Sequence, residues 1–538
     1  MMKLVTVAEM RAMEAEANAR GVSYETMMER AGLGVARFVN ENLYVGEDEK
    51  IAVGLVGSGN NGGDALVTLA ALARMGWTVR AYLTSAPDRS HPLIKRLLDF
   101  DAELVEMAQD AEFSRLDGWL ESAAVILDGV LGTGIHLPLR PETARLLGHV
   151  AEFDPPGTVV AVDCPSGVDC ESGEMAEETI PADVTLCMDA VKVGLMRFPA
   201  YAAIGDLQVI DLELPEDLPT EQGLRRSVAD YDMVGERLPV RALDAHKGSF
   251  GTVMAAVGSI PYTGAAYLAG MAAYRVGAGL VRMAVPGPLH AALAGKFPEA
   301  TWLLLPHEMG VIAAAGAELL LKNLDRVTAL LVGPGLGLEE TTGEFLAHLL
   351  TGKSSKTARH PLGFGSAAQN HETAEHLAAL PPLVMDADGL RLLAKMENWP
   401  ARLPEGCILT PHAGEMAALT GLSVEEIQAE RMAVAEKYAR EWGQVVILKG
   451  ALTVVAAPDG RVTVIPIATP ALARAGTGDV LAGAAAGFRA QGLEAFDAAV
   501  CAAFIHGEAG LAASRTSAEA SVVAGDLLPL IPAVMSLF

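Results

Sequence analysis

A chain of 538 residues is too long for one hydrophobic core, and 51% apolar with 20% charged side chains marks an ordered globular protein rather than a disordered one. With 67 acidic against 40 basic side chains, the formal charge of −27 excludes a broad nucleic-acid or anionic-membrane surface, so any phosphate site must be built locally. The five cysteines show no Cys-x-x-Cys spacing, which argues against a disulfide framework or zinc centre and for buried thiols in a reducing compartment.

The N-terminus, MMKLVTVAEMRAMEAEA, is charged throughout and has no apolar stretch followed by a small-residue cleavage site, so a cytoplasmic location is expected. Apolar, β-branched runs then recur as IAVGLV (51–56), TVRAYL (78–83), AAVILD (123–128) and TVVAV (158–162), alternating with helix-like segments through residue 210. That pattern predicts a parallel sheet covered on both faces. LELPEDLPTEQG, residues 212–223, reads as a solvated connection and sets the expected domains at 1–222 and 223–538.

The alternation restarts with FGTVMAAVG, LVRMAV, TALLVGPG, LVMDAD, CILTPH and VVILKG, with helical stretches such as 423–442 between them, and predicts a second α/β domain. Residues 248–274 carry no charge, but SIPYTG interrupts them, so strand, loop and helix are expected there rather than a membrane span. The polar, Gly/Ser-rich stretch 351–377 predicts a surface insertion or mobile loop.

GSGNNGGDAL, residues 57–66, has the Gly-x-Gly-x-x-Gly spacing of a dinucleotide turn. A dehydrogenase also needs an acid about 20 residues on to grip the ribose, and here the second strand ends YLTS. Asn60, Asn61 and Asp64 instead fill the turn with oxygen-bearing side chains. Two further segments end at the same sheet edge, DGVLGTG (128–134) and VDCPSG (162–167). Their convergence would gather the Asn61 amide oxygen, the Asp128 carboxylate and the Ser166 hydroxyl, a weakly charged oxygen set suited to a monovalent cation. Gly132, Thr133 and Gly134 can present N–H groups to a phosphate, and Asp163 can move a proton, with a turn or capping role as its alternative.

Together MMERAG (27–32), GSGNNGGDAL, DGVLGTG, VDCPSGVD and KVGLMRFPA (192–200) resemble the YjeF N-terminal family, the NAD(P)H-hydrate epimerases, over nearly the whole first half. The resemblance implies a Rossmann-like three-layer sandwich in which Asn60, Asn61, Gly62, Gly63 and Asp64 hold the hydrated nucleotide, together with Gly132, Thr133, Gly134, Ile135, His136, Leu137 and Pro138. It further implies that Asp163 faces the substrate ring and that Asn61, Asp128 and Ser166 bind K⁺. The chain departs from that pattern at Cys164, where Ile is usual, and at Ala65, where Gly is common.

RAGTGDVLAG, residues 474–483, sets Gly476, Thr477 and Gly478 directly before Asp479 and a small-residue helix. Helix-start N–H groups, with a dipole of about half a positive charge, can stabilise a phosphoryl group in transit. Asp479 is then placed to take a proton from an attacking hydroxyl; its alternative is a favourable first-turn acid. Upstream, HKGSFGTVMAAVGS, GAAYLAG, GAGLV, LVGPGLG, VMDADGL, LTPHAGEM and LKGALTVV follow the order of the ribokinase-like fold and resemble the ADP/ATP-dependent NAD(P)H-hydrate dehydratases over roughly residues 230–535. That resemblance implies that Lys449, Gly450, Ala451, Leu452, Thr453 and Gly478 contact the adenosine phosphate of an Mg²⁺-bound ADP or ATP. Ala265, Gly335, Gly337, His412 and Asp479 would face the hydrated nicotinamide nucleotide. His412 has a helix cap as its alternative, and Lys449 an exposed charge whose stem lies on apolar neighbours.

The expected chemistry is a two-step repair. Hydroxide is a poor leaving group, so phosphorylating the ring hydroxyl of the hydrate lets it depart as phosphate and restores the double bond. The first domain would interconvert the two hands of the hydrate, because a chiral pocket processes one. The rival readings are a small-molecule kinase of the same superfold and a first half that binds nucleotide without turnover. The expected partners are small molecules, with no nucleic acid and no membrane, and family analogy suggests a homo-oligomer.

Overall fold

The computed structural model describes residues 2–43, 46, 50–86, 90–352 and 380–538, so nearly all of the expected insertion at 351–377 lies outside the described residues. The described chain divides into two compact α/β units, Met2–Val228 and Ala229–Phe538.

In the first unit a seven-stranded sheet runs in the order Glu103–Glu106, Thr78–Leu83, Ile51–Val56, Val125–Gly129, Thr158–Val162, Val184–Met188, Asp206–Ile210, with every pairing parallel. Both faces are covered. Val53 and Leu55 of strand Ile51–Val56 pack with Trp119 and Leu146 on one side, while Ala52 and Val56 pack with Val35 and Leu69 on the other. Strands buried on two faces need continuous rather than alternating apolar residues, which is why these runs stood out in the sequence. Strand order reverses at Ile51–Val56, and in an open parallel sheet the ligand crevice forms at the carboxyl ends beside such a reversal.

The expected solvated connection differs from what is observed. Leu212 and Leu218 are buried in the first unit's core, and Glu16 accepts hydrogen bonds from the backbone and hydroxyl of Thr220. These two buried leucines outweigh its acids and prolines.

The second unit holds Thr301–Leu305, Leu280–Pro286, Thr252–Ala256, Ala329–Val332, Leu383–Met385, Ile408–Leu409 and Val445–Leu448 in parallel, then Val454–Ala456 and Val462–Val464 antiparallel. Residues 248–274 contain strand Thr252–Ala256, a turn at Ile260–Tyr262 and helix Thr263–Arg275. The stretch 423–442 is two helices, Val424–Ala429 and Arg431–Trp442, broken at Glu430. Among the described residues one helix, Ala495–Thr516, is long and apolar enough to cross a membrane, yet its Val500, Phe504 and Ile505 lie in this unit's core. Helices Thr263–Arg275 and Thr477–Ala490 approach closely because Gly483 rests on the Ala269 backbone, where any Cβ would collide.

Candidate active sites

Helix Asn60–Arg74 starts at Gly59 with no side-chain cap, so its first N–H groups remain free for an anion. The fingerprint glycines bring two loops together. A Cβ on Gly57 would strike the Val130 carbonyl, and one on Gly62 would strike the Gly57 carbonyl. Over this turn lies a cavity of about 700 Å³, walled by Asn60, Asn61, Asp64, Asp163 and the run from Gly132 to His136. Gly62, Gly63, Leu137 and Pro138 are not among the residues that wall it: Gly62 packs on Gly57, and Gly63 lies beneath Met28.

Asn61, Asp128 and Ser166 converge as expected. Asp128 is fully buried; its Oδ1 accepts the Ser166 hydroxyl at 2.5 Å, and its Oδ2 accepts the Ser166 N–H at 2.7 Å. Asn61 donates through Nδ2 to the Leu131 carbonyl at 2.8 Å, leaving its Oδ1 buried without a partner. Ala65 fits in place of the smaller residue because its methyl faces Gly129, which has no side chain.

Asp163 follows strand Thr158–Val162 in the left-handed region, φ +68°, a conformation costly for a residue other than glycine. Its Oδ1 accepts the Met188 N–H at 2.9 Å and an ammonium proton from Lys192. Asp163 thus makes the turn and also lines the cavity.

Lys192 was missed, although it opens the KVGLMRFPA motif. It is 1% exposed, and its Nζ also reaches the Met188 carbonyl at 3.3 Å. Burial opposes its charge, but Asp163 foremost holds its pKa above the ordinary lysine value. Asp64 and Glu14 share the cavity. Burial, then the charges of Asp163 and Glu14, push Asp64 well above the usual carboxylate range, and burial likewise raises Glu14. Two carboxyls that resist ionising thus line the cavity beside the Asp163–Lys192 pair, which sets candidate proton donors next to a candidate acceptor.

In the second unit helix Thr477–Ala490 begins at Gly476, φ +92°, where a Cβ would press on Leu268 at 2.7 Å. The turn is fastened from several sides: Thr477 Oγ1 donates to the Leu472 and Arg474 carbonyls at 2.9 Å each, and buried His506 lies 2.9 Å from the Thr477 carbonyl. Burial lowers the His506 pKa to about 4, so the ring is neutral and its Nε2–H donates.

Lys449 is no exposed charge. Its Nζ sits 2.6 Å from Asp386 Oδ1 and 3.5 Å from Glu415 Oε2, and lies 3.3 Å from where a Cβ on Gly478 would be. Thr410 donates to the same Asp386 oxygen at 2.6 Å, while Asp386 Oδ2 is buried without a partner. Asp479 stands next to this group. Burial, then Asp386, raises its pKa to about 7, a value at which a carboxylate can act as general base near neutrality.

His412 caps helix Ala413–Thr420, its Nδ1 accepting the N–H groups of Gly414 and Glu415 at 2.9 and 3.2 Å. Its Nε2 lies 3.4 Å from Glu415 Oε1, on a side chain 47% exposed. Gly337 donates its N–H to Asp388 at 3.0 Å, and Gly335 abuts Ala265, where a Cβ would come within 2.8 Å. In the turn after Lys449, Gly450 and Ala451 are exposed, Leu452 is buried, and Thr453 donates to the Gly450 carbonyl at 2.8 Å. Asp386, Asp388 and Glu415 were missed as individuals, although DADGL and TPHAGE contain them.

Two sheets, each with a glycine-rich helix start and a buried carboxylate–lysine pair at the carboxyl ends of its strands, define an α/β enzyme with two separate sites. Residues 24–194 match the profile of the YjeF-related protein N-terminus, and residues 253–357 and 362–533 match that of NAD(P)H-hydrate dehydratase. The chain is 33% identical over 540 residues to the bifunctional NAD(P)H-hydrate repair enzyme Nnr of Moorella thermoacetica, covering 99% of this chain and 97% of that one. It is 36% identical to the Salinibacter ruber enzyme of the same name, covering 96% and 92%. A Bacillus subtilis ADP/ATP-dependent NAD(P)H-hydrate dehydratase, co-crystallised with ATP/Mg²⁺, is similar at 28% identity and TM-score 0.47 over 58% of this chain and 98% of that one. The chain belongs to the family of bifunctional NAD(P)H-hydrate repair enzymes.

Proposed function

We propose that the first unit epimerises the hydrated ring of NAD(P)H and the second dehydrates one hand of it at the expense of ADP or ATP. The observation that carries this reading is the juxtaposition of Asp479, the Gly476–Gly478 turn and the Lys449–Asp386 pair at one sheet edge. Asp479 takes the proton of the ring hydroxyl as its oxygen attacks the terminal phosphorus and the bridging P–O bond breaks, releasing AMP from ADP or ADP from ATP; helix-start N–H groups receive the developing charge; phosphate then departs with the C–O bond as the neighbouring ring carbon loses a proton, and the ring double bond reforms.

The unpartnered Asp386 Oδ2 offers one hard oxygen to an Mg²⁺ carried mainly by the nucleotide phosphates. Such an ion supplies neutralisation of phosphate charge. In a mixture of hydrate, ADP and Mg²⁺ the absorbance of the reduced nicotinamide ring recovers as phosphate is released. Accumulation of a stable phosphorylated hydrate instead would make the second unit a kinase.

In the first unit Asp163 faces the hydrated carbon, and the Lys192 ammonium holds its Oδ1 in place. Asn61 Oδ1, left without a partner, fits K⁺ together with Asp128, Ser166 and the Leu131 carbonyl. A cation there supplies fixed positive charge beside Gly132–Gly134. Replacing K⁺ by Na⁺, or Asn61 by Ala, is expected to slow epimerisation about tenfold or more and leave dehydration unchanged, as followed on each hand of the hydrate separately. Equal rates in the two salts would remove the ion from this site.

A further inference from the structure

The second site contains a cation that the repair reading leaves unused. Arg431 opens helix Arg431–Trp442, one residue past the break at Glu430, and its guanidinium reaches the turn that follows strand Val445–Leu448. Nη2 donates to the Leu448 carbonyl at 2.9 Å, and Nη1 to Gln428 Oε1 at 2.9 Å. Nε is buried with no partner. Both partners are neutral, and burial alone pushes the Arg431 pKa down to about 10. A buried positive charge of this kind is unfavourable until an anion meets it.

Lys449 cannot fill that need. It stands between two carboxylates, Asp386 at 2.6 Å and Glu415 at 3.5 Å, so its own charge is already balanced. Arg431 is the cation near this turn with no carboxylate among its hydrogen-bond partners.

Its position matters as much as its charge. A Cβ on Gly450 would lie 2.8 to 3.0 Å from Nη2, Nη1 and Cζ, so the guanidinium occupies the side of Gly450 where a side chain would otherwise project. On the other side of the same turn, Lys449 Nζ approaches Gly478. Gly478, Lys449, Gly450 and Arg431 are therefore successive neighbours, beginning at the helix start where phosphoryl transfer is placed.

We propose that Arg431 binds a phosphate of the adenine nucleotide that is not transferred, the one remaining on AMP after ADP is used. The proposal rests on the reading of the Gly476–Gly478 turn as the phosphoryl-transfer site. Leu448 and Gln428 hold the guanidinium fork by one nitrogen each, which leaves N–H groups on a half-buried side chain to donate to phosphate oxygens.

The test compares AMP with adenosine as competitors of ADP in the full-length protein, since the two differ only in the phosphate concerned. The unaltered protein binds AMP roughly 10 to 100 times more tightly than adenosine, the range of a charge-assisted pair. In Arg431→Met the AMP affinity falls to near that of adenosine while adenosine affinity holds; Arg431→Lys retains part of the difference. A role in loop structure alone weakens both competitors alike and leaves their ratio intact, and that result overturns the proposal. If Arg431→Met does not fold, the ratio is measured in Arg431→Lys and Arg431→Gln, and a ratio unchanged in both is equally fatal. Failure of the unaltered protein to bind AMP at all overturns the nucleotide reading of this turn, whereas AMP binding with an unaltered ratio removes Arg431 alone.

Discussion

Asp479→Asn is expected to abolish dehydration while making the protein harder to unfold at alkaline pH. Loss of a general base costs about 10²- to 10⁴-fold in rate. The stabilising half follows from the folded-state pKa of about 7, raised by burial and then by Asp386. In the unfolded chain this carboxyl titrates near 4. Because the folded pKa lies above the unfolded one, Asp479 carries no penalty below about pH 4, and its ionisation costs stability progressively as pH rises to about 7. Three pKa units correspond to at most about 4 kcal/mol, which Asn does not incur. The expected reading is a melting temperature several degrees above the unaltered protein at pH 8 and nearly equal to it at about pH 4. The acidic limb of kcat/KM for dehydration should also fall near pH 7. A variant no more stable at pH 8 than the parent would mean that Asp479 is not strained by burial.

Lys192→Met is expected to be the most damaging single change in the first unit. The lysine is 1% exposed and is the ion partner of Asp163, in a cavity that also holds Asp64 and Glu14. Removing it leaves buried carboxyls with no cation beside Asp163, and breaking such a pair from one side costs about 3 to 5 kcal/mol. Epimerisation should vanish. The double variant Lys192→Met with Asp163→Asn replaces both charges, and should regain much of the lost stability but none of the activity. Chemical denaturation of the three proteins separates the cases; a double variant as unstable as Lys192→Met would show that the lysine acts through packing rather than through charge.

Much of the architecture was legible in the chain because it rests on local signals. Strands buried on both faces of a parallel sheet must be apolar throughout, so IAVGLV and TVVAV announced themselves. Glu103–Glu106 and Asp206–Ile210 did not, because they lie at the sheet's edges, where polar residues are tolerated. LELPEDLPTEQG misled for a related reason: its acids and prolines resemble a linker, yet two buried leucines fasten it.

The sites divide along the same line. Glycine spacing and short motifs, read from the chain, carried the family, the two-domain α/β architecture and the residues of each helix start. They are local because a strand-to-helix turn needs its glycines in fixed sequence positions. Charge balance is not local. That Lys192 neutralises Asp163 from 29 residues away, that Asp386 and Glu415 claim Lys449, and that Arg431 faces Gly450 with only neutral partners were decided by tertiary packing. A side chain's charge state depends on which groups share its desolvated surroundings, and those surroundings exist only once distant segments have folded together.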